Sequence, residues 1–453
     1  MKRAVTECLV MFLFSVSTLL AQTTPYPQAA TDRLIHPKTA MLPPPVNTPF
    51  TDPDFGSLMV RATDPTTNFK LPGTFLRNEA SGQLNEWSAD GGKFYVMGKG
   101  GQVLVFGFDP ATMAISSLPT ATPGRALLVP LRAATFSSVD ADLIYGTTGA
   151  HPLTLSSYRF STGKVSSIID TTTCATQPAL VSGTGVSSDT ISVSGDDSRI
   201  AVDEGGSSAG KEMFLVVYDV NLGCRWYNTQ TGQVGGQWGA VGTATAAGYL
   251  INHAYISKSG NYVRILGSNG WYIWDLATLN VSSCLLGQPV SSQTYCGGYG
   301  VAGFNSLVNQ PAVLDGMQIV KRPLSDITQI TELVEPLTPH NWGLDLHFTW
   351  ANVDTNDTAP VCASSYIYDG EDTITQPYEG EIFCIETDGV ASTIWRFAHN
   401  HAPWNPKFFN TQPLGNVSKD GRFFLFTSTW DLQLGTDPNG VTPHSDVWIV
   451  KLD

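Results

Sequence analysis

One short polar turn recurs along this chain, each time between two apolar runs. Trp87-Ser88-Ala89-Asp90-Gly91 leads into Lys93–Val96, and Ser194-Gly195-Asp196-Asp197 into Arg199–Val202. Ser257-Lys258-Ser259-Gly260 leads into Tyr262–Ile265, and Ser418-Lys419-Asp420-Gly421 into Arg422–Phe426. Phe136-Ser137-Ser138, through Asp140 to Leu143–Tyr145, is a looser copy. Such a turn supplies the positive φ that a tight hairpin needs. A third strand follows, as in Val103–Phe108, Leu155–Phe160, Phe214–Val220, Trp271–Leu276, Glu381–Glu386 and Val447–Leu452. A fourth follows in places, as in Lys164–Ile169, Ile327–Thr331 and Ser392–Phe397.

Four strands per repeat is the unit of a β-propeller blade. The reading is an all-β fold: a single propeller of about seven four-stranded blades spanning residues 50–453. That leaves about 58 residues per blade against ~40–45 in a minimal one, so the loops are long. Blade 5 (roughly 297–335) and blade 6 (roughly 340–399) lack the turn and are placed by their neighbours, so six or eight blades stay open. The chain stops after a third strand, Asp446–Leu452, while Ser57–Thr63 near the start has no partner of its own. Pairing the N-terminal strand with the C-terminal blade closes the ring and covers both edges.

Lys2 and Arg3, an apolar run from Cys8 to Leu20, and Ala21 read as a secretory signal peptide over residues 1–21. Residues 22–49, with Pro43-Pro44-Pro45, read as a Pro-rich leader or linker. Cleavage leaves six cysteines, for which the pairs 174–224, 284–296 and 362–384 are expected among 15 connectivities. A secreted or periplasmic location follows, with no transmembrane segment after cleavage. Losing Lys2, Arg3 and Glu7 takes the net charge from −14 to −15. That balance excludes a nucleic-acid-binding surface, which needs a basic footprint. A 42% hydrophobic content supports a large core, and a monomer is expected.

Chemistry in a propeller belongs at a mouth of the central channel. His399-Asn400-His401 is the sharpest feature, read as lying at the crossing from blade 6 into blade 7, where the chain enters the innermost strand. In an extended segment both imidazoles would point to one side. His340 and His347 stand at the start of blade 6, and His253 opens blade 4. Gly206–Gly210 fits a nucleophile-elbow string but lies between strands, so a hairpin loop is the reading. Asp354, Asn356 and Asp369–Asp372 form no EF-type loop.

Two family resemblances attach to these residues. The Trp-Ser-x-Asp-Gly turns, with Arg61–Thr63, resemble TolB-type propeller repeats. The His399/His401 pair ahead of Ser418–Gly421 and Phe424–Ser428 resembles the oligogalacturonate lyases. That resemblance implies a divalent metal, manganese, held by His399 and His401 with His340 or His347. Two departures are visible: Arg396 stands where that family has Gln, and an insertion follows His401. β-Elimination from a uronate needs a neutralised carboxylate and a base. His253 is the candidate base, with Arg264 or Arg225 as charge neutraliser. The same histidines also read as hydrogen-bonded corner residues. Two functions are therefore carried: a propeller binding a glycan or protein ligand at a channel mouth, and a metal-assisted polysaccharide lyase.

Overall fold

The computed structural model describes residues 25–79, 81–174, 187–205, 212–285, 289–291, 294–295, 300–310, 319–334, 344–350, 354–367, 373–388 and 393–453. The sheets form the seven blades of a β-propeller. Each repeated turn works through its serine. In blade 1 the Ser88 hydroxyl donates to Asp90 Oδ1 (2.7 Å) and accepts from the Lys93 amide (2.9 Å), with Gly91 at φ +70°. Ser194 and Ser418 repeat both bonds in blades 3 and 7. In blade 2 Ser137 accepts from the Asp140 amide, and in blade 4 Ser257 accepts from that of Tyr262. The serine side chain thus replaces backbone bonds that the tight turn cannot make.

The blade strands are apolar at nearly every position because both faces are buried. Alternate residues of Phe423–Ser428 serve different neighbours. Phe424 and Phe426 pack with Trp395 and Phe397 of blade 6, while Phe423 and Leu425 pack with Phe94 and Trp87 of blade 1. The same two-residue period builds a wedge between each successive pair of blades, so the clusters run continuously around the ring.

Closure follows the expected pairing. Leu58–Arg61 runs antiparallel to Asp446–Lys451, with Met59 opposite Val450 and Arg61 opposite Trp448. Asp446 is fully buried and accepts from both Arg61 (2.5 Å) and the Thr63 hydroxyl (3.0 Å). Blade 5 comprises Gly300–Ala302, Ser306–Asn309, Ile319–Pro323 and Thr331–Val334. Blade 6 comprises Leu346–Thr349, Val361–Ser365, Glu381–Ile385 and Ile394–His399. These are the positions expected from their neighbours.

The cysteines pair as expected where they are described: Cys174 with Cys224, and Cys362 with Cys384. Cys284 is disulfide-bonded, and its expected partner Cys296 lies outside the described residues. Residues 1–21, His340 and the loop 206–210 also lie outside them. Among the described residues, no helix is long and apolar enough to cross a membrane. The disulfides are compatible with an extracellular or periplasmic protein.

Residues 25–49 lie along blades 6 and 7. Tyr26 packs edge-on against Trp395 and Phe397 (5.4 and 5.1 Å), and its hydroxyl donates to Gly421 O. Lys38 pairs with Asp431 (2.5 Å), and the Trp430 indole donates to Met41 O.

The channel is not open. The innermost strand of blade 1 pairs at Leu76–Arg77 with Met97–Gly98 and again at Trp87 with Phe94, and the described residues between them, 78–79 and 81–86, swing into the ring. Gln83 bonds Ala302 of blade 5, and Gly82 bridges Thr349 of blade 6. The Asn85 carbonyl accepts from Phe136 N of blade 2. The Asn416 amide of blade 7 donates to Leu84 O. A Cβ on Gly82 would stand 2.3 Å from the Phe348 carbonyl, so this close approach requires glycine.

Candidate functional site at the channel mouth

Above this plug, where the innermost strands begin, lies a cavity of about 390 Å³. Blade 4 supplies one wall. His253 stands opposite Leu266, and Tyr255 opposite Arg264, in one hairpin, and all four line the cavity. Blade 6 supplies His347 and Phe348 from its first strand and Tyr366 just after its second. The plug supplies Glu79, Ser81 and Gly82, with Arg77 at its base. Phe409 and Gln412 complete the rim from the segment joining blades 6 and 7. The Arg77 guanidinium lies over the Phe409 ring at 5.1 Å.

Both histidines in the cavity are neutral at pH 7. Burial, followed by the positive charge of Arg264, pushes His253 down to about 4. Among the described residues, its Nδ1 is buried without a hydrogen-bond partner. Burial likewise pushes His347 down to about 4, against a hydrogen bond to Gln412 that favours the protonated ring. His347 Nε2 is hydrogen-bonded to the Tyr366 hydroxyl (2.5 Å). Burial raises the Tyr255 hydroxyl far above its usual range, so it stays protonated.

The structure brings together His253, Arg264 and His347. It does not bring in Arg225, which lies on the fourth strand of blade 3. There its guanidinium donates to Trp238 O (2.6 Å) and Thr278 O (2.8 Å) and lies over the Trp274 ring. The His399–His401 segment lies at the expected crossing from blade 6 into blade 7, but at its outer end rather than where the inner strand begins. It closes the outermost strand of blade 6, and the innermost strand of blade 7 begins only at Gly415. His401 takes φ +50°, which breaks the extended geometry that would align the two rings. Its Nδ1 donates to Asp431 (2.6 Å), and it stacks on Trp430 at 4.2 Å. His399 lies 3.7 Å from Asp54 and edge-on to Phe55. Both rings thus face residues 38–55 and Asp431, not the channel.

The position where the lyase family has Gln is similarly committed. Arg396 makes a two-point ion pair with buried Glu381 (2.6 and 2.8 Å) and reaches Asp32 (2.9 Å). Among the described residues, no group of three His, Cys, Asp or Glu side chains could hold a metal ion. The described residues of the cavity thus include no metal-binding group of the kind implied by the resemblance, and His340 lies outside them.

Sequence reasoning missed Arg77, Glu79, Tyr255, Tyr366, Phe409 and Gln412. The polar stretch Asn78–Gln83 inside an otherwise apolar innermost strand was the visible signal for the plug. The insertion after His401 was noticed, but nothing local shows that it returns Phe409 and Gln412 to the mouth.

Solved structures place this architecture. The chain is similar in fold to oligogalacturonate lyases. One, from Vibrio parahaemolyticus, matches with a TM-score of 0.55 at 13% identity, over 89% of this chain and 96% of its own. An oligogalacturonate lyase in complex with manganese matches with a TM-score of 0.54 at 13% identity, over 94% and 98%. At this identity the likeness concerns the fold. No protein-family model matches the sequence, and no curated protein does.

Proposed function

We propose that this chain is an exported propeller that takes an acidic sugar, of the uronate class, into the cavity at the mouth where the innermost strands begin. One observation carries the reading: Arg77 and Arg264 share a cavity of about 390 Å³ with two neutral histidines and the rings of Phe409 and Tyr366. Arginine matches a carboxylate bidentately, and aromatic faces suit the apolar face of a sugar ring. Among the described residues that line the cavity, two are arginines and one, Glu79, is an acid, on a chain of net charge −14. The disulfides and the basic-then-apolar start support export. The fold shared with oligogalacturonate lyases supports the sugar class.

His253 favours a second reading, β-elimination at the same site. Among the described residues, its Nδ1 is buried and unpartnered in the cavity that Arg264 lines. With the uronate carboxylate on Arg264, the adjacent carbon becomes acidic. His253 would take that proton, the electron pair would form the C=C bond, and the glycosidic C–O bond would break, its oxygen then taking up a proton.

Titration calorimetry with oligogalacturonate, against a neutral glucan of equal length, tests the first reading. Uronate-selective binding lost in Arg264→Gln supports it; equal binding of both sugars, or of neither, overturns it. New absorbance from an unsaturated uronide, lost in His253→Gln, supports elimination. Binding with no such product leaves the propeller a binder.

A further inference from the structure

At the opposite face of the plug, where the innermost strands end, a second cavity of about 20 Å³ is lined by Asn85, Ser137, Ser138, Asn416, Lys258 and Lys419. Two ammonium groups meet there. Lys258 is 3% exposed, and its Nζ donates only to the neutral amide oxygen of Asn85 (2.7 Å). Lys419, at the exposed rim, donates only to the Ser138 carbonyl (2.7 Å). Among the described residues, no carboxylate forms an ion pair with either lysine. The nearest negative charge is Asp197, which accepts from the Ser137 and Tyr145 hydroxyls and the Ser138 amide instead.

A buried ammonium with one neutral acceptor among the described residues has two N–H groups unanswered, and the charge of Asp197 acts on it without an ion pair, which is costly. Burial lowers Lys258 to about 8, opposed by the charge of Asp197 and reinforced by the repulsion of Lys419. A cavity of this size holds one guest of water or halide dimensions. We propose that this cavity is a site for a small monovalent inorganic anion, of the chloride class, held between Lys258 and Lys419. The anion would tie the plug, through Asn85, to blades 4 and 7. It would act as a structural lock on the face away from the sugar cavity, and it stands independently of the function proposed above.

The test is thermal unfolding of the full chain at constant ionic strength, exchanging sodium gluconate, whose anion is too large for the cavity, for sodium chloride. A rise in Tm of about 2 °C or more from low-millimolar to several hundred millimolar chloride is expected. The rise should vanish in Lys419→Gln, a rim substitution that leaves the core intact, and in Lys258→Met. Crystals grown in bromide should show an anomalous peak within hydrogen-bonding distance of Lys258 Nζ. A Tm indifferent to chloride in the wild type, or a water and no bromide at that position, would overturn the proposal.

Discussion

Gln83 and Ala302 hold the ring across its own axis: the Gln83 amide donates to the Ala302 carbonyl at 2.7 Å, and its oxygen accepts from the Ala302 amide at 2.6 Å. The first residue belongs to blade 1 and the second to blade 5, so this pair ties together parts of the ring that share no strand edge. Both are buried. Replacing Gln83 by Ala leaves the backbone donor and acceptor of Ala302 without partners in a place closed to water. The expected loss is about 2–4 kcal/mol, read as a lower denaturant midpoint with an unchanged m-value. A lower m-value would mean instead that the plug had already left the channel in the native state.

Substitutions at the mouth should separate charge recognition from packing. Arg264→Lys keeps the charge but loses the planar fork, and Arg264→Gln loses both. For uronate binding, the expected losses are about tenfold and about a hundredfold, with a smaller dependence on salt in the Gln variant. Equal losses for a neutral sugar would point to a collapsed cavity. Arg225→Gln is the control. It should lower stability, because Trp238 O and Thr278 O lose their donors, while leaving affinity within about twofold in the protein that remains folded.

The contrast between those two arginines marks what the sequence could disclose. Blade strands and ring closure were legible because they depend on local patterning: a serine turn, two-residue alternation, and a terminal strand without a partner. His253, Arg264 and His347 were also within reach, because each lies in or beside a recognisable blade strand. His399 and His401 lie at the expected crossing but at its outer end, not at the start of the inner strand. Whether a segment ends an outer strand or begins an inner one depends on the length of the crossing, and here the crossing runs on to Gly415. The plug stayed hidden for a related reason, since its partners Phe136, Ala302, Thr349 and Asn416 are far away in the chain.

The His401–Asp431–Lys38 arrangement yields a prediction that separates the segment 25–49 from the channel. His401→Ala removes a buried hydrogen bond to Asp431 and the stacking on Trp430. The expected result is a loss of about 2–3 kcal/mol, with earlier proteolytic cutting in residues 25–49 and unchanged uronate affinity. Metal analysis of the same preparations checks the alternative role. A divalent ion that copurifies with the wild type and disappears in His399→Ala/His401→Ala would make the pair a metal site instead.

Acid should act on stability and on chemistry in the same direction but at different points. His253 and His347 sit at about 4 in the folded chain against about 6.5 when exposed. Between those values the unfolded chain binds protons that the folded chain refuses, so stability is fully present above about pH 6.5 and falls as pH drops toward 4. His253→Gln, which cannot take that proton, should flatten part of this slope in unfolding measured from pH 7 to pH 4. If His253 is also the base for elimination, kcat/KM should stay level down to about pH 5 and fall only near pH 4, because its neutral form persists until then. A rate that instead fell with an apparent pKa near 6.5 would show that His253 is solvated in the working enzyme, and the dry, Arg264-facing environment assigned to it would be wrong.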